Sequence, residues 1–375
     1  MPAGEQPPGD GSALDRMGRL PERGKEPASA RVLDTWIAQA QPKLGMDAGR
    51  LGWLIASTVV VAALQRAVDE TGRSLFLLKG GTYLQHRMSW ATRATKDVDG
   101  LVRGDLDTFL EALDQALRLP WGPLTLTRTE PEVIAAPARV VKPRRFDVGV
   151  SLRGQVWRRI QVEVAPDEAG AGDEQDVLAA PGLGHFGLPN PEFLLGIALR
   201  YQIAQKMHAC TDPHDPPAER NDRARDVVDL LLLRDLAAAD GTPSYAQLRE
   251  ACIALFTARA TEARTLAREG RGWPPRLVAH PHWSNDYDRA ARQAGVDLPL
   301  GQGRRRRECL GRAHRNRPPD VVEPHRASRP SRRRPAGVRR AVGSVRTTSD
   351  PGASAPRLRE AAARNELNRG PAAAR

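Results

Sequence analysis

The sequence predicts a mixed α/β core followed by an all-helical region, and three observations carry that reading. Short apolar runs with period-two alternation, bounded by glycines, fill much of the first half. Long Ala/Leu-rich stretches with helical spacing occupy 192–268. At Gly301 the composition turns abruptly to Arg, Pro, Ala and Gly. The chain of 375 residues is long enough for a sizeable core. It divides into a disordered lead-in (1–30), an α/β core (31–180), a helical domain (181–300) and a disordered basic tail (301–375).

Taken in order, 31–39 and 52–70 read as helices, the second rich in Ala, Val and Leu and closed at Gly72. The apolar run 75–78 is a short buried strand ending in the turn Lys79-Gly80-Gly81-Thr82. A short helix over 82–90 and a second strand over 97–102 follow. Asp105 is a good N-cap, because its carboxylate can accept from the orphan amides of a first turn. The helix it opens, 106–117, places Leu106, Phe109, Leu110, Leu113 and Leu117 on one face. Strands are expected over 124–129, 145–152 and 155–164, the last two flanking the hairpin signal Arg153-Gly154. After a Gly/Pro-rich connection, helices are expected over 192–209, 219–239 and 245–268.

The formal charge of +12 is unevenly spread. Residues 301–375 hold 20 Arg, no Lys and 6 acids, a net of +14; the remaining 37 bases and 39 acids leave 1–300 at −2. The tail, without Ile, Phe or Met, cannot bury enough apolar area to offset its ordering entropy. It reads either as a basic arm for nucleic acid or as GC-rich DNA translated out of frame. Cys210, Cys252 and Cys309 are odd in number and lack ligand spacing, which fits a reducing compartment. The N-terminus lacks the apolar core of a signal peptide. The most apolar stretch, 51–64, falls short of the roughly 17 residues a membrane span needs. A cytoplasmic protein with no membrane association is expected.

The chemistry concentrates at two motifs. Fourteen residues separate Thr82 from Asp97-Val98-Asp99. On a strand, Asp97 and Asp99 share one face while Val98 points into the core. Two carboxylates so placed repel unless a cation sits between them, and a divalent ion bridging nucleotide phosphates answers that need. Gly80, Gly81 and Thr82 allow the backbone to approach phosphates closely, and Lys79 adds positive charge. The pattern resembles the polymerase-beta-like nucleotidyltransferases, whose signature is Gly-Gly-Ser/Thr, a spacer, then Asp-x-Asp. That resemblance implies a mixed sheet, Mg2+ or Mn2+ as the ion, and an NTP as substrate. In such sites a third carboxylate binds metal or takes the acceptor's proton. Glu163, on the alternating run 158–164, is the best-placed candidate and Asp147 its rival; the bland reading makes Glu163 a solvent-facing strand residue.

Further along, Lys206 lies in Ile203-Ala204-Gln205-Lys206-Met207-His208-Ala209, and Arg223-Ala224-Arg225-Asp226-Val227-Val228-Asp229-Leu230 follows a polar loop. With the upstream motifs, these residues resemble the AbiEii/AbiGii nucleotidyltransferase-like toxins, which include the MenT toxins of actinobacteria. The resemblance covers about 50–270; only the spacer before Asp97 is slightly long. It implies that Lys206 grips triphosphate oxygens, and that Asp226 orients Lys206 or the acceptor with Asp229 as its structural counterpart. It also implies a tRNA 3′ end or other RNA as acceptor, a pyrimidine nucleotide, growth arrest and a separately encoded antitoxin. On the residues alone, an interhelix salt-bridge network is the competing account of Lys206 and Asp226. Transfer to a protein or small-molecule hydroxyl, nucleotide binding without turnover, and DNA binding through the tail are the alternative functions. Two decoys are set aside. The run from Gly182 to Gly187 matches Gly-x-Gly-x-x-Gly by letters, but prolines surround it where a dinucleotide site needs a strand and a helix. His208, Cys210 and His214 do not make a closed zinc set, and His208 is expected on a helix surface.

Overall fold

Period-two alternation in the first half resolves into one mixed sheet. The computed structural model describes residues 13–88 and 95–300. The tail, the first part of the lead-in and the last residues of the helix expected over 82–90 lie outside the described residues. The strands are β1 (Phe76–Lys79), β2 (Asp97–Val102), β3 (Leu124–Arg128), β4 (Glu132–Val133), β5 (Arg144–Leu152), β6 (Gln155–Pro166), β7 (Gln175–Leu178) and β8 (Leu194–Ile197). Their order is β3-β5-β6-β2-β1-β8-β7, with β4 beside β5. The β2/β6 and β1/β8 pairs are parallel, and the others antiparallel.

Alternation sorts the side chains into two layers. Phe76, Leu78, Val98, Val102, Phe146, Val148, Val162 and Val164 are buried in the larger core. They share it with α2 (Ala30–Leu44), α3 (Ala48–Leu64) and α5 (Leu106–Leu117). Ser29, Asp47 and Asp105 cap these helices, Asp105 accepting from the amides of Asp107 and Thr108 as expected. The opposite face carries Leu77 and Leu101, which pack with Tyr201 and Ala204 of α6 (Leu199–Ala209) and Leu255 of α8 (Tyr245–Thr265). That second face, between sheet and helices, carries the polar residues of interest. No single helix among the described residues is long and apolar enough to cross a membrane.

Three expectations change. The helix expected over 192–209 is split: Leu194–Ile197 joins the sheet as β8, and only Leu199–Ala209 is helical. Gly196 is needed there, since a Cβ would come within 2.5 Å of the Tyr83 ring. Pairing with β1 on one side and β7 on the other overrides the local helical pattern. Residues 13–30 are not a disordered lead-in. Helix α1 (Ala13–Gly18) buries Leu14 and Met17, and the Arg23 amide donates to the Gly184 carbonyl. The glycine-rich run at 182–187 is thus a landing site for the N-terminal segment, with His185 Nδ1 2.8 Å from the Pro21 carbonyl. Helix α7 spans Ala224–Asp240, beginning later than expected, and α9 (Ser284–Gln293) had no sequence signal strong enough to place it.

Candidate active site

Helix α4 (Gly80–Arg87) begins where β1 ends, so its first amides lie at the edge of the polar sheet face. Gly80 has φ +69°, and a Cβ there would lie 2.2 Å from Asp99 Oδ2; no side chain fits. Thr82 is fully buried, and its hydroxyl donates to the Asp97 carbonyl at 2.7 Å. Its side chain therefore ties the turn to β2, while Thr95 Oγ1 donates to Asp97 Oδ1 at 2.8 Å.

Register assembles the acids. Antiparallel β1/β2 pairing sets Lys79 opposite Asp99, and parallel β2/β6 pairing sets Asp99 beside Glu163. One carboxylate oxygen from each of Asp97, Asp99 and Glu163 lies within 4.8 Å of the others. A cluster of three half-buried carboxylates offering only oxygen fits a hard divalent cation. Burial and the Asp97 charge push the Asp99 carboxyl up to about 6, against the pull of Lys79 and Lys206. Burial likewise holds the Lys79 amine below its ordinary range, although Asp99 and Glu168 oppose that shift. From β5, Arg145 donates to Glu163 Oε1 through Nε at 2.9 Å and Nη2 at 2.5 Å. Asp147 stays out of the trio, 3.9 Å from Arg159.

Lys206 projects from α6 towards α7. Its Nζ donates to Asp226 Oδ1 at 2.8 Å and Asp229 Oδ2 at 2.7 Å, and both Lys206 and Asp229 are buried. Its charge also lowers the Asp99 carboxyl slightly, against the larger effect of burial. His208 is buried, not on a helix surface: its ring packs against Phe256 at 4.8 Å between centroids, and Arg271 Nη2 lies 3.1 Å from its Nδ1. Burial and Arg271 push it down to about 3, so it is neutral. His214 instead stacks on His282 at 4.7 Å and meets the tilted ring of His280 at 4.2 Å between centroids.

Several site neighbours carry no signal in the sequence. Glu168, just past β6, accepts from Arg259 Nε and Nη2 at 2.5 and 2.8 Å, from Arg139 Nη1 at 3.0 Å and from Gln205 Nε2 at 3.1 Å. Burial raises its carboxyl, but Arg259, Arg139 and Lys79 together outweigh that and hold it at about 2. Arg139 reaches there from the β4–β5 loop and also pairs with Glu262 of α8 at 3.0 Å. Gln202 Oε1 accepts from the Gly80 amide at 3.1 Å.

The sequence profile of the nucleotidyl transferase AbiEii toxins of type IV toxin–antitoxin systems matches residues 62–319. No curated protein matches the chain in sequence. Among solved structures, the nucleotidyltransferase toxin MenT4 from Mycobacterium tuberculosis H37Rv is similar, with a TM-score of 0.40 and 16% identity over 75% of this chain and 95% of that one. The match spans more than half of the sequence, and on that ground the chain belongs to the AbiEii nucleotidyl transferase toxins.

Proposed function

We propose that the protein transfers a nucleotide from an NTP to the 3′ end of a tRNA, at a site where Asp97, Asp99 and Glu163 hold Mg2+ or Mn2+. The observation that carries the reading is the convergence of these carboxylates, from two neighbouring strands, beside the first turn of α4. When bound, the ion neutralises triphosphate charge and acts as a Lewis acid. The chain's own groups do the rest. The amides that open α4 cradle phosphate oxygens, favoured by the helix dipole. Lys79 and Lys206 add cationic charge beside them, Lys206 as a compact ammonium held in place by Asp226 and Asp229. The acceptor hydroxyl gives up its proton to a carboxylate of the cluster as its oxygen bonds to the α-phosphorus, the bond from that phosphorus to the α,β-bridging oxygen breaks, and pyrophosphate leaves.

The motif resemblance supports an RNA acceptor, a pyrimidine nucleotide and a cytoplasmic setting, where both substrates are found. Membership of a type IV toxin–antitoxin family supports an antitoxin partner encoded nearby. The test incubates purified protein with total RNA, a protein mixture and each of four α-labelled NTPs. Label in tRNA, from one NTP in preference to the rest, is expected. Label in protein alone would overturn the acceptor assignment, and no label from any NTP would overturn the transfer itself.

A further inference from the structure

We infer that Gln202 is a nucleotide-binding residue of this site, its side-chain amide donating to a phosphate oxygen of the triphosphate. The inference rests on reading the site as an NTP site and adds a contact to it. Gln202 and Lys206 are four residues apart on α6, and so lie on one face of that helix. Only 2% of Gln202 is exposed. Its Oε1 accepts from the Gly80 amide, and because an amide nitrogen can only donate, the orientation of the side chain is settled. Nε2 is therefore the remaining donor, and it has no partner among the described residues.

A buried donor left without an acceptor is costly, and its presence in a native site calls for a reason. Packing does not supply one. Leucine or methionine would fill a similar volume without a polar group, and neighbouring Ile203 and Ala204 already serve the cores. Capping accounts for the oxygen only: Lys79, the N-cap of α4, offers no side-chain bond, so Gln202 caps that helix from another element. The amide is anchored on that turn through Gly80, which follows Lys79 in the chain, and Lys206 stands one turn along α6. Such a set of donors and cations selects an anion with several oxygens. At a helix N-terminus that anion is phosphate rather than base or sugar.

The test uses the full-length protein and two probes: inorganic tripolyphosphate with Mg2+, and the four α,β-methylene NTP analogues. Q202L removes both ends of the amide at nearly constant volume. Q202E keeps an oxygen that can cap Gly80 but replaces the donor with an anionic oxygen, which repels phosphate. Binding is read by calorimetry and the apo melting temperature is measured alongside. Q202L should raise the Kd of tripolyphosphate and of the preferred analogue about tenfold or more, the loss expected for a hydrogen bond to a charged group. Its apo melting temperature should stay level or rise, and Q202E should lose at least as much affinity. Wild-type affinity for both probes in either variant would make Gln202 a helix cap and overturn the inference, leaving the site intact. Weakened analogue binding with unchanged tripolyphosphate binding would overturn the phosphate assignment. Failure of the wild-type protein to bind either probe would instead overturn the nucleotide reading of the whole site.

Discussion

Asp97 and Asp99 stand two residues apart on one strand, with Glu163 beside them, and the repulsion among them is what a divalent ion would relieve. D97N and D99N should each lower nucleotide transfer by at least about a hundredfold, the scale of losing a major electrostatic contribution to the transition state. Neither should unfold the protein, and apo stability should hold or rise by about 1 kcal/mol as repulsion falls, read as turnover and melting temperature. Lys206 should behave differently. It is buried with two acids, one of them fully inaccessible, so K206A removes a cation from a low-dielectric pair. It is expected to cost about 3 kcal/mol of stability as well as turnover. Adding D229N to K206A should restore stability and leave transfer abolished; recovery of transfer would reduce Lys206 to scaffold. The acids were legible in the sequence because a strand's alternation assigns faces without reference to anything distant. The alternating run already favours Glu163 over Asp147, and the register adds what the sequence does not carry, that Glu163 lies beside Asp99. Gln202 was not legible at all, since its meaning comes from an amide 122 residues away.

The elements around the site depend on one carboxylate. Glu168 joins the end of β6 to α8 through Arg259 and to the β4–β5 loop through Arg139. Its folded-state carboxyl sits near 2, below its ordinary 4.5, so the stability it contributes is present above pH 4.5 and is lost as pH falls towards 2. A shift of that size corresponds to about 3 kcal/mol. E168Q should therefore be less stable than wild type at pH 7 by about that amount, and the two unfolding curves should converge as pH is lowered from 4.5 to 2. A gap independent of pH would show that shape, not charge, holds these elements. Helix α5, announced by Asp105, could be placed from sequence to the residue, whereas α2 and α3, expected over 31–39 and 52–70, run Ala30–Leu44 and Ala48–Leu64. Strand β8 could not: its apolar residues abut those of α6, and only the open edge of β1 decides that they extend instead of coil. Helix α1 and the segment after it escaped notice because their contacts are remote in sequence: Arg16 donates to the Leu44 carbonyl, and Arg23 to the carbonyls of Gly184 and His185.

For the molecule as a whole, we propose a division of labour. Residues 31–180 supply the acids and the phosphate turn, and 181–300 supply Lys206, Asp226 and Gln202 from the far side of the site. The residues up to 300 are nearly neutral while 301–375 carry a net +14, so the tail should affect acceptor affinity at most. A chain ending at Leu300 should keep its turnover at saturating RNA; any role of the tail in binding should appear as an affinity that falls steeply with salt. Loss of turnover on truncation would show that the tail belongs to the machinery. Nucleotidyl transfer at the Asp97–Asp99–Glu163 cluster is tested by which phosphorus reaches the acceptor. Wild type and the D97N/D99N double variant are each incubated with tRNA and the preferred NTP, labelled at either the α- or the γ-phosphorus, and the recovered tRNA is counted. The expected result is α-label in tRNA with wild type, no γ-label, and neither with the double variant. Transfer of γ-label would make the reaction a phosphoryl transfer, and α-labelling that survives the loss of both carboxylates would place the chemistry elsewhere.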